Sequence, residues 1–245
     1  MPGFTRGVTT CCLVVLVLPV VLLGWFWFSL WHDGHVNERR ERAAEASVLR
    51  LASRAARDTR RALAGSGPTG PEAVTGVLWR HTKAPVITYD APHGTYTAAR
   101  SWAVTYDRKG FLSAGPTQVE WCFTLVAHHA PGTGWTTRLT KRTRADCLAS
   151  RLVDRDVVRA RDVLASLPDE LLTRAGVSRE LAARGGQGQD VFTVRKVARE
   201  RDRVSVTVRV RAGAGSDGPV ARQCYRFTRP LARGEAPVAE PLARC

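Results

Sequence analysis

The sequence predicts an α+β protein in which an N-terminal transmembrane helix and a second long helix precede antiparallel β-hairpins. Three observations support this prediction. An uncharged apolar run lies near the start of the chain, apolar residues then recur at helical spacing, and later segments alternate between apolar and polar residues. The part after the apolar run is long enough for one ordinary domain or for two small ones.

The transmembrane prediction rests on residues 11–31, which contain no charged side chain. At about 1.5 Å per residue, a helix of this length spans roughly 30 Å, the thickness of a hydrocarbon core. Trp25, Trp27 and Trp31 crowd its C-terminal end, and tryptophan prefers the membrane interface. A cleaved signal peptide would have a shorter apolar stretch. We therefore expect a single-pass protein of the cell membrane, with residues 1–10 as a cytoplasmic leader.

Two features of the sequence disagree about the orientation of the domain. Arg39, Arg40 and Arg42 follow the apolar run and only Arg6 precedes it, so the positive-inside rule places the domain in the cytoplasm. However, the chain after the run contains four cysteines, an even number that suits disulfide bonds in an oxidising compartment. Because long domains are translocated largely regardless of charge, we favour an extracytoplasmic domain.

Residues 32–67 are predicted to form a helical juxtamembrane stalk. A short polar exit at 32–37 precedes a helix over 38–63, in which apolar residues recur at helical spacing between arginines. The simplest interpretation is that this helix packs on its own domain. A free stalk or a coiled-coil dimer is the alternative, although the alanine-rich stripe lacks the sustained heptads of a coiled coil.

The remaining chain predicts two α+β units, residues 68–148 and 149–245. The first should contain a short helix over 71–82 and strands over 96–106, 119–127 and 135–143. The second should contain two helices, a hairpin and a last strand, at 152–165, 170–184, 191–198, 204–210 and 221–228. A capping box from Ser166 to Asp169 is expected to begin the second of these helices.

The order of elements is similar in the two halves and favours a duplicated helix-plus-meander unit. In each half, a strand carries one cysteine and a second cysteine follows a short distance on. We predict the disulfide bonds Cys122–Cys147 and Cys224–Cys245, one in each unit, although four cysteines permit two other pairings. One continuous sheet wrapped on the long helix, as in cystatin-like or NTF2-like folds, is an alternative that rests on analogy alone.

The chain is strongly basic, with 37 basic and 22 acidic residues and a formal net charge of +15. The predominance of arginine over lysine is typical of exported proteins from high-GC bacteria, so genome bias is the first interpretation. A functional interpretation is attraction to lipid headgroups or to an anionic envelope polymer. Few aromatic residues accompany the basic stretches, which argues against binding of single-stranded nucleic acid, and any nucleic acid would be a natural partner only of a cytoplasmic domain. The candidate anion-binding residues are Arg138, Lys141, Arg142, Arg144, Arg195, Lys196, Arg209 and Arg211.

No local motif in the sequence predicts catalysis. Residues 213–218 satisfy G-x-G-x-x-G, but a strand should follow them where a dinucleotide site requires a helix. His128 and His129 should point to opposite faces of a strand, and the distal cysteines lack C-x-x-C spacing, so we expect no metal and no cofactor. We favour an extracytoplasmic binding or accessory domain, whose partner could also be a protein. The alternatives are a cytoplasm-facing basic domain that binds nucleic acid or a membrane complex, and an exported enzyme without a local signature.

Overall fold

The protein has an α+β structure with a long N-terminal helix and two antiparallel sheets of four strands each. The chain forms two compact units, residues 1–48 with 103–119 and residues 49–102 with 120–245. The predicted glycine-rich loops at 185–188 and 213–218 lie outside the described residues. The computed structural model describes residues 4–110, 114–130, 132, 134–184, 191–212, 220–231 and 235–245, with side chains from residue 17 onwards.

The first helix, α1, runs without interruption from Phe4 to Ser66. Residues 32–37, predicted as a polar exit, continue the helix because they include no proline, and Gly34 alone costs only about 1 kcal/mol in a cooperative helix. Within the described part of the chain, no helix combines the length and the apolar composition that a membrane crossing requires. The side chains of residues 11–16 are outside the described part, and the predicted span stays a prediction.

The smaller unit contains hydrogen bonds between α1 and the loop that links two long strands. The backbone N–H of Lys109 donates to Asn37 Oδ1 at 2.8 Å, and the amide nitrogen of Asn37 donates to the Lys109 carbonyl. One turn later, Arg40 donates to the backbone oxygen of Asp107 at 2.7 Å. Two polar side chains of α1 therefore satisfy backbone groups at Asp107, near the end of a strand, and at Lys109 just after it.

The first sheet has the strand order β1-β2-β3-β4 and follows helix α2 (Pro71–Thr82), whose bounds are as predicted. Its strands are β1 (Val86–Asp90), β2 (Thr95–Arg108), β3 (Gly115–Ala130) and β4 (Gly134–Arg142). The core beneath it joins α1 and α2 to the strands and includes Leu63, Leu78, Ile87, Tyr96 and Leu125. The strands β2 and β3 are longer than predicted, so much of the expected turn at 108–118 is strand.

The second sheet has the strand order β5-β6-β7-β8 and follows the helices α3 (Leu148–Ser166) and α4 (Arg174–Arg184). Its strands are β5 (Phe192–Arg199), β6 (Arg203–Ala212), β7 (Ala221–Pro230) and β8 (Val238–Leu242). A second core lies between these helices and the sheet. It includes Val153, Leu164, Val177, Leu181, Phe227 and the alternating valines of β6.

The predicted capping box at Ser166 is wrong. The Ser166 hydroxyl donates back to the carbonyl of Val163 at 3.0 Å, within the last turn of α3. Pro168 then disfavours helical backbone in the residue before it, so a short 3₁₀ turn, Asp169–Leu171, precedes α4. A capping box does occur at Thr143, whose backbone N–H donates to Asp146 at 2.9 Å and begins the 3₁₀ turn before α3.

The larger unit also contains hydrogen bonds between the two sheets. The buried side chain of Gln223 on β7 accepts from the N–H of Ile87 on β1 at 2.9 Å, and within its own sheet it donates to the carbonyl of Leu242 at 2.7 Å. The hydroxyl of Tyr225 donates to the carbonyl of Pro85. The described strands form two separate sheets, so the alternative of one continuous sheet is wrong. The two sheets have the same strand order, and a duplication and a boundary at 148/149 stay predictions.

Candidate functional site

The four distal cysteines lie in the two predicted pairs. The Cα atoms of Cys122 and Cys147 are 5.6 Å apart, and those of Cys224 and Cys245 are 5.4 Å apart. Both distances fall in the range of about 4.4–6.8 Å that a disulfide requires, so both pairs are consistent with disulfide bonds. In each half, the first cysteine is on the third strand and the second follows shortly after the fourth strand.

A basic surface covers the outer side of the second sheet. The valines of β6 point into the core, so Arg209 and Arg211 lie on the opposite side. The strand register adds neighbours to that side, since Lys196 and Arg226 flank Thr207, and Arg222 lies opposite Arg211. We call this surface the basic face; it comprises Lys196, Arg209, Arg211, Arg222 and Arg226.

The positive charges of the basic face are poorly compensated. Among the described residues, none of its five cations forms an ion pair, and the Nε atom of Arg211 is buried without a hydrogen-bond partner. The only carboxylate opposite one of these cations in the described register is Glu240, which faces Arg226. A small cleft of about 290 Å³ continues the surface, and Arg209, Arg222 and Arg244 contribute to its lining.

The structure brings together three of the four cations predicted in the second stretch. Lys196, Arg209 and Arg211 share the basic face, whereas Arg195 is exposed beside the β-bulge between Val194 and Lys196. Sequence reasoning missed Arg222 and Arg226 as site residues. A signal was present, because Arg222 and Arg226 are four residues apart in one strand, a spacing that places both on the same side, and both are exposed.

The four cations predicted in the first stretch do not form one surface. Arg138 and Arg142 share the outer side of β4, but Lys141 points to the other side and lies over the ring of Trp121. Arg144 pairs with Glu120 at 3.5 Å, and Arg151 shares that carboxylate at 3.2 Å. The reason is the two-residue period of a strand, which separates neighbours along the chain.

A larger cleft of about 540 Å³ lies between α3, the loop before β1, and strands β2, β7 and β8. One face of α3 contributes Asp154, Val157, Val158 and Arg161. Burial lowers the pKa of the Arg100 guanidinium, and the nearby Asp154 carboxylate opposes that shift. Burial also raises the pKa of the Tyr225 hydroxyl, and Asp154 adds to the shift. The sequence offered no signal for this cleft because its walls come from six separate segments, one of which is the end of α2 at Trp79.

The two adjacent histidines lie in different surroundings, as the strand alternation predicts. His128 Nδ1 lies 3.4 Å from the hydroxyl of Thr95, whereas the ring of His129 is 5.1 Å from that of Trp135. In the described part of the chain, no group of three His, Cys, Asp or Glu residues could hold a metal ion.

Comparisons with known proteins do not identify a family. No protein-family model and no curated protein matches the chain. One solved structure, described as an "Ntf2 like protein involved in plasmid conjugation", is similar at 11% identity over 64% of this chain and 74% of that chain. The TM-score of that superposition is 0.16, which carries no argument about fold or function.

Proposed function

We propose that this chain is a membrane-tethered, extracytoplasmic binding domain without catalytic activity. Its basic face would hold a phosphate-bearing anionic polymer of the cell envelope. The observation that carries the proposal is the arrangement of five cations on one side of one sheet, with no ion pair to a described residue. Such a surface attracts polyanions through its summed electrostatic field.

The cations of the basic face repel one another and so lower the stability of the fold, which supports a binding role for them. Arg211 and Arg222 are directly opposite in the register, and like charges at opposed positions destabilise a sheet. Neighbouring strands are about 4.8 Å apart, so the cations form a closely spaced array that a chain of phosphates can neutralise. A bound polyanion would therefore offset a repulsion that the folded domain otherwise carries.

The neighbours of these cations favour a polymer over a lipid surface. Thr193, Ser205, Thr207 and Thr228 occupy other positions on the same side of the sheet. Surfaces that insert into a bilayer interface usually combine cations with large apolar side chains. Hydroxyl-bearing side chains between cations suit hydrogen bonds to phosphate oxygens instead.

The membrane tether is supported by α1. Its large apolar side chains between Val17 and Trp31 are 42–75% exposed, with tryptophans among them. A helix that is apolar on all sides requires either a protein interior or a membrane around it. The cysteine pairs at disulfide distance favour an oxidising compartment for the domain.

The test is binding of polyglycerol phosphate to the full chain in nanodiscs of zwitterionic lipid. The triple variant Arg209→Gln, Arg222→Gln, Arg226→Gln should bind roughly a hundred-fold more weakly, since each cation contributes about 1 kcal/mol near an anionic surface. Binding by the wild type should also fade as the salt concentration rises towards about 1 M.

A matched control variant removes three exposed arginines of α1 that lie away from the basic face, Arg54, Arg57 and Arg60. Each is replaced by glutamine, so the net charge falls by the same amount in both variants. An equal loss of binding in both variants would show that only net charge matters and would contradict the proposal. Tighter binding to anionic vesicles than to the polymer would favour a lipid partner.

A further inference from the structure

The cleft of about 540 Å³ has the size of a small-molecule site and is separate from the basic face. Ligand sites in proteins commonly have volumes of about 300–1,000 Å³, with mostly apolar walls and a few converging polar groups. The apolar wall of this cleft consists of Trp79, Val157, Val158, Pro237 and Val238.

One part of the cleft concentrates positive charge. The guanidinium of Arg100 donates to the carbonyl of Thr82 at 2.6 Å, and Lys83 is the next residue along that loop. The ammonium of Lys83 lies 4.1 Å from the ring centroid of Trp79 and remains exposed. Both cations line the cleft and are held by backbone and aromatic contacts, and neither forms an ion pair with a carboxylate among the described residues.

Two further polar side chains, Ser101 and Asp154, contribute to the lining of the cleft. The hydroxyl of Ser101 is buried and has no hydrogen-bond partner among the described residues. The carboxylate of Asp154 interacts electrostatically with Arg100 but forms no ion pair in the described part of the chain. Asp154 is exposed, so the free-energy cost of a buried polar group without a partner applies to Ser101 alone.

We propose that this cleft binds a small amphipathic anion. Its carboxylate or phosphate group would lie against Lys83 and Arg100, both of which line the cleft. Its apolar body would cover Val157, Val158 and Val238. The Asp154 carboxylate competes with the anionic ligand for Arg100 and therefore lowers the affinity of the cleft for that ligand. The proposal concerns a site other than the basic face and does not depend on polymer binding.

The probes are hexanoate, hexyl phosphate and inorganic phosphate, titrated calorimetrically into the full chain in zwitterionic nanodiscs, with empty nanodiscs as the blank. Hexanoate or hexyl phosphate should bind, and the tighter of the two identifies the head group. Inorganic phosphate should bind more weakly than hexyl phosphate because it leaves the apolar wall uncovered. Equal affinities for those two would overturn the assignment of the apolar wall.

Three variants test the roles of the residues. Lys83→Gln should weaken binding roughly ten-fold, as expected for the loss of a charge-assisted contact. Val158→Trp should fill the apolar wall and weaken the hexyl ligands, and its position on the exposed side of α3 makes the folded state tolerant of the change. Asp154→Asn should tighten binding several-fold because it removes the competing carboxylate.

The matched control is Arg80→Gln, which removes one exposed positive charge three residues before Lys83 and outside the cleft. Its affinities should equal those of the wild type. The proposal is overturned if neither hexyl ligand binds, or if Lys83→Gln and Asp154→Asn behave like the control. Thermal unfolding of each variant confirms that a loss of binding is not a loss of the fold.

Discussion

Removal of the cysteine pairs should reveal how much stability each contributes. The two pairs are separated by 25 and 21 residues, and loop-closure entropy depends only on the logarithm of that length. Each bridge should therefore contribute about 3 kcal/mol to the free energy of unfolding. Cys122 and Cys147 are almost fully buried, whereas Cys245 is exposed, so alanines at the first pair also leave a cavity. We expect the first double variant to be less stable than the second by about 1 kcal/mol.

Urea denaturation of the two double-alanine variants, followed by tryptophan fluorescence, measures these differences. Alkylation of thiols in intact cells, followed by non-reducing peptide mapping, measures the oxidation state. Four free thiols in cells, with unchanged stability on reduction, would place the domain in a reducing compartment and refute the extracytoplasmic assignment. A crossed pair such as Cys122–Cys224 would refute both the pairing and the two-unit interpretation.

Three further predictions concern two glycines and one buried tyrosine. Gly176→Ala should destabilise the fold by about 1–3 kcal/mol, because a Cβ atom there would lie 3.1 Å from the backbone carbon of Leu171 and nearer still to its oxygen. Gly76→Ala has nothing within 4 Å of the new atom and should stabilise by about 0.5–1 kcal/mol; urea denaturation measures both. Burial and the neighbouring Tyr89 raise the pKa of Tyr96 from 10.0 to about 12. The free energy of unfolding that this group contributes is thus fully present below pH 10 and is lost as the pH rises towards 12. Phenolate absorbance of the wild type and of Tyr96→Phe measures the pKa, and urea denaturation of both at several pH values measures the loss.

The parts of the fold that alternate or repeat over many residues could be predicted from the sequence. The valines of β6 alternate across the whole strand, and the bounds of α2 agree with the prediction. The edge strands β1 and β8 have five residues each, too few for a period to stand out, and β8 contains Pro241. Proline is tolerated there because an edge strand needs only one row of hydrogen bonds.

The candidate surfaces could be predicted only where cations alternate with buried residues along a single strand. Arg209 and Arg211 follow from the alternation of β6, whereas the positions of Arg222 and Lys196 beside them depend on strand register. The charge density along the sequence between Arg138 and Arg144 was misleading, because it ignores the side of the strand to which each residue points. The cleft beside Arg100 depends entirely on tertiary packing.

The buried amide of Gln223 has a consequence for how the larger unit loses its structure. One end of that side chain satisfies the N–H of Ile87 in the first sheet, and the other satisfies the carbonyl of Leu242 in the second. Opening the second sheet alone would leave the N–H of Ile87 without a partner, and opening the first alone would leave the side-chain oxygen of Gln223 without one, at a cost of about 1–3 kcal/mol in either case. The two sheets should therefore unfold in a single cooperative transition, and hydrogen exchange should protect both to a similar degree despite their separate cores.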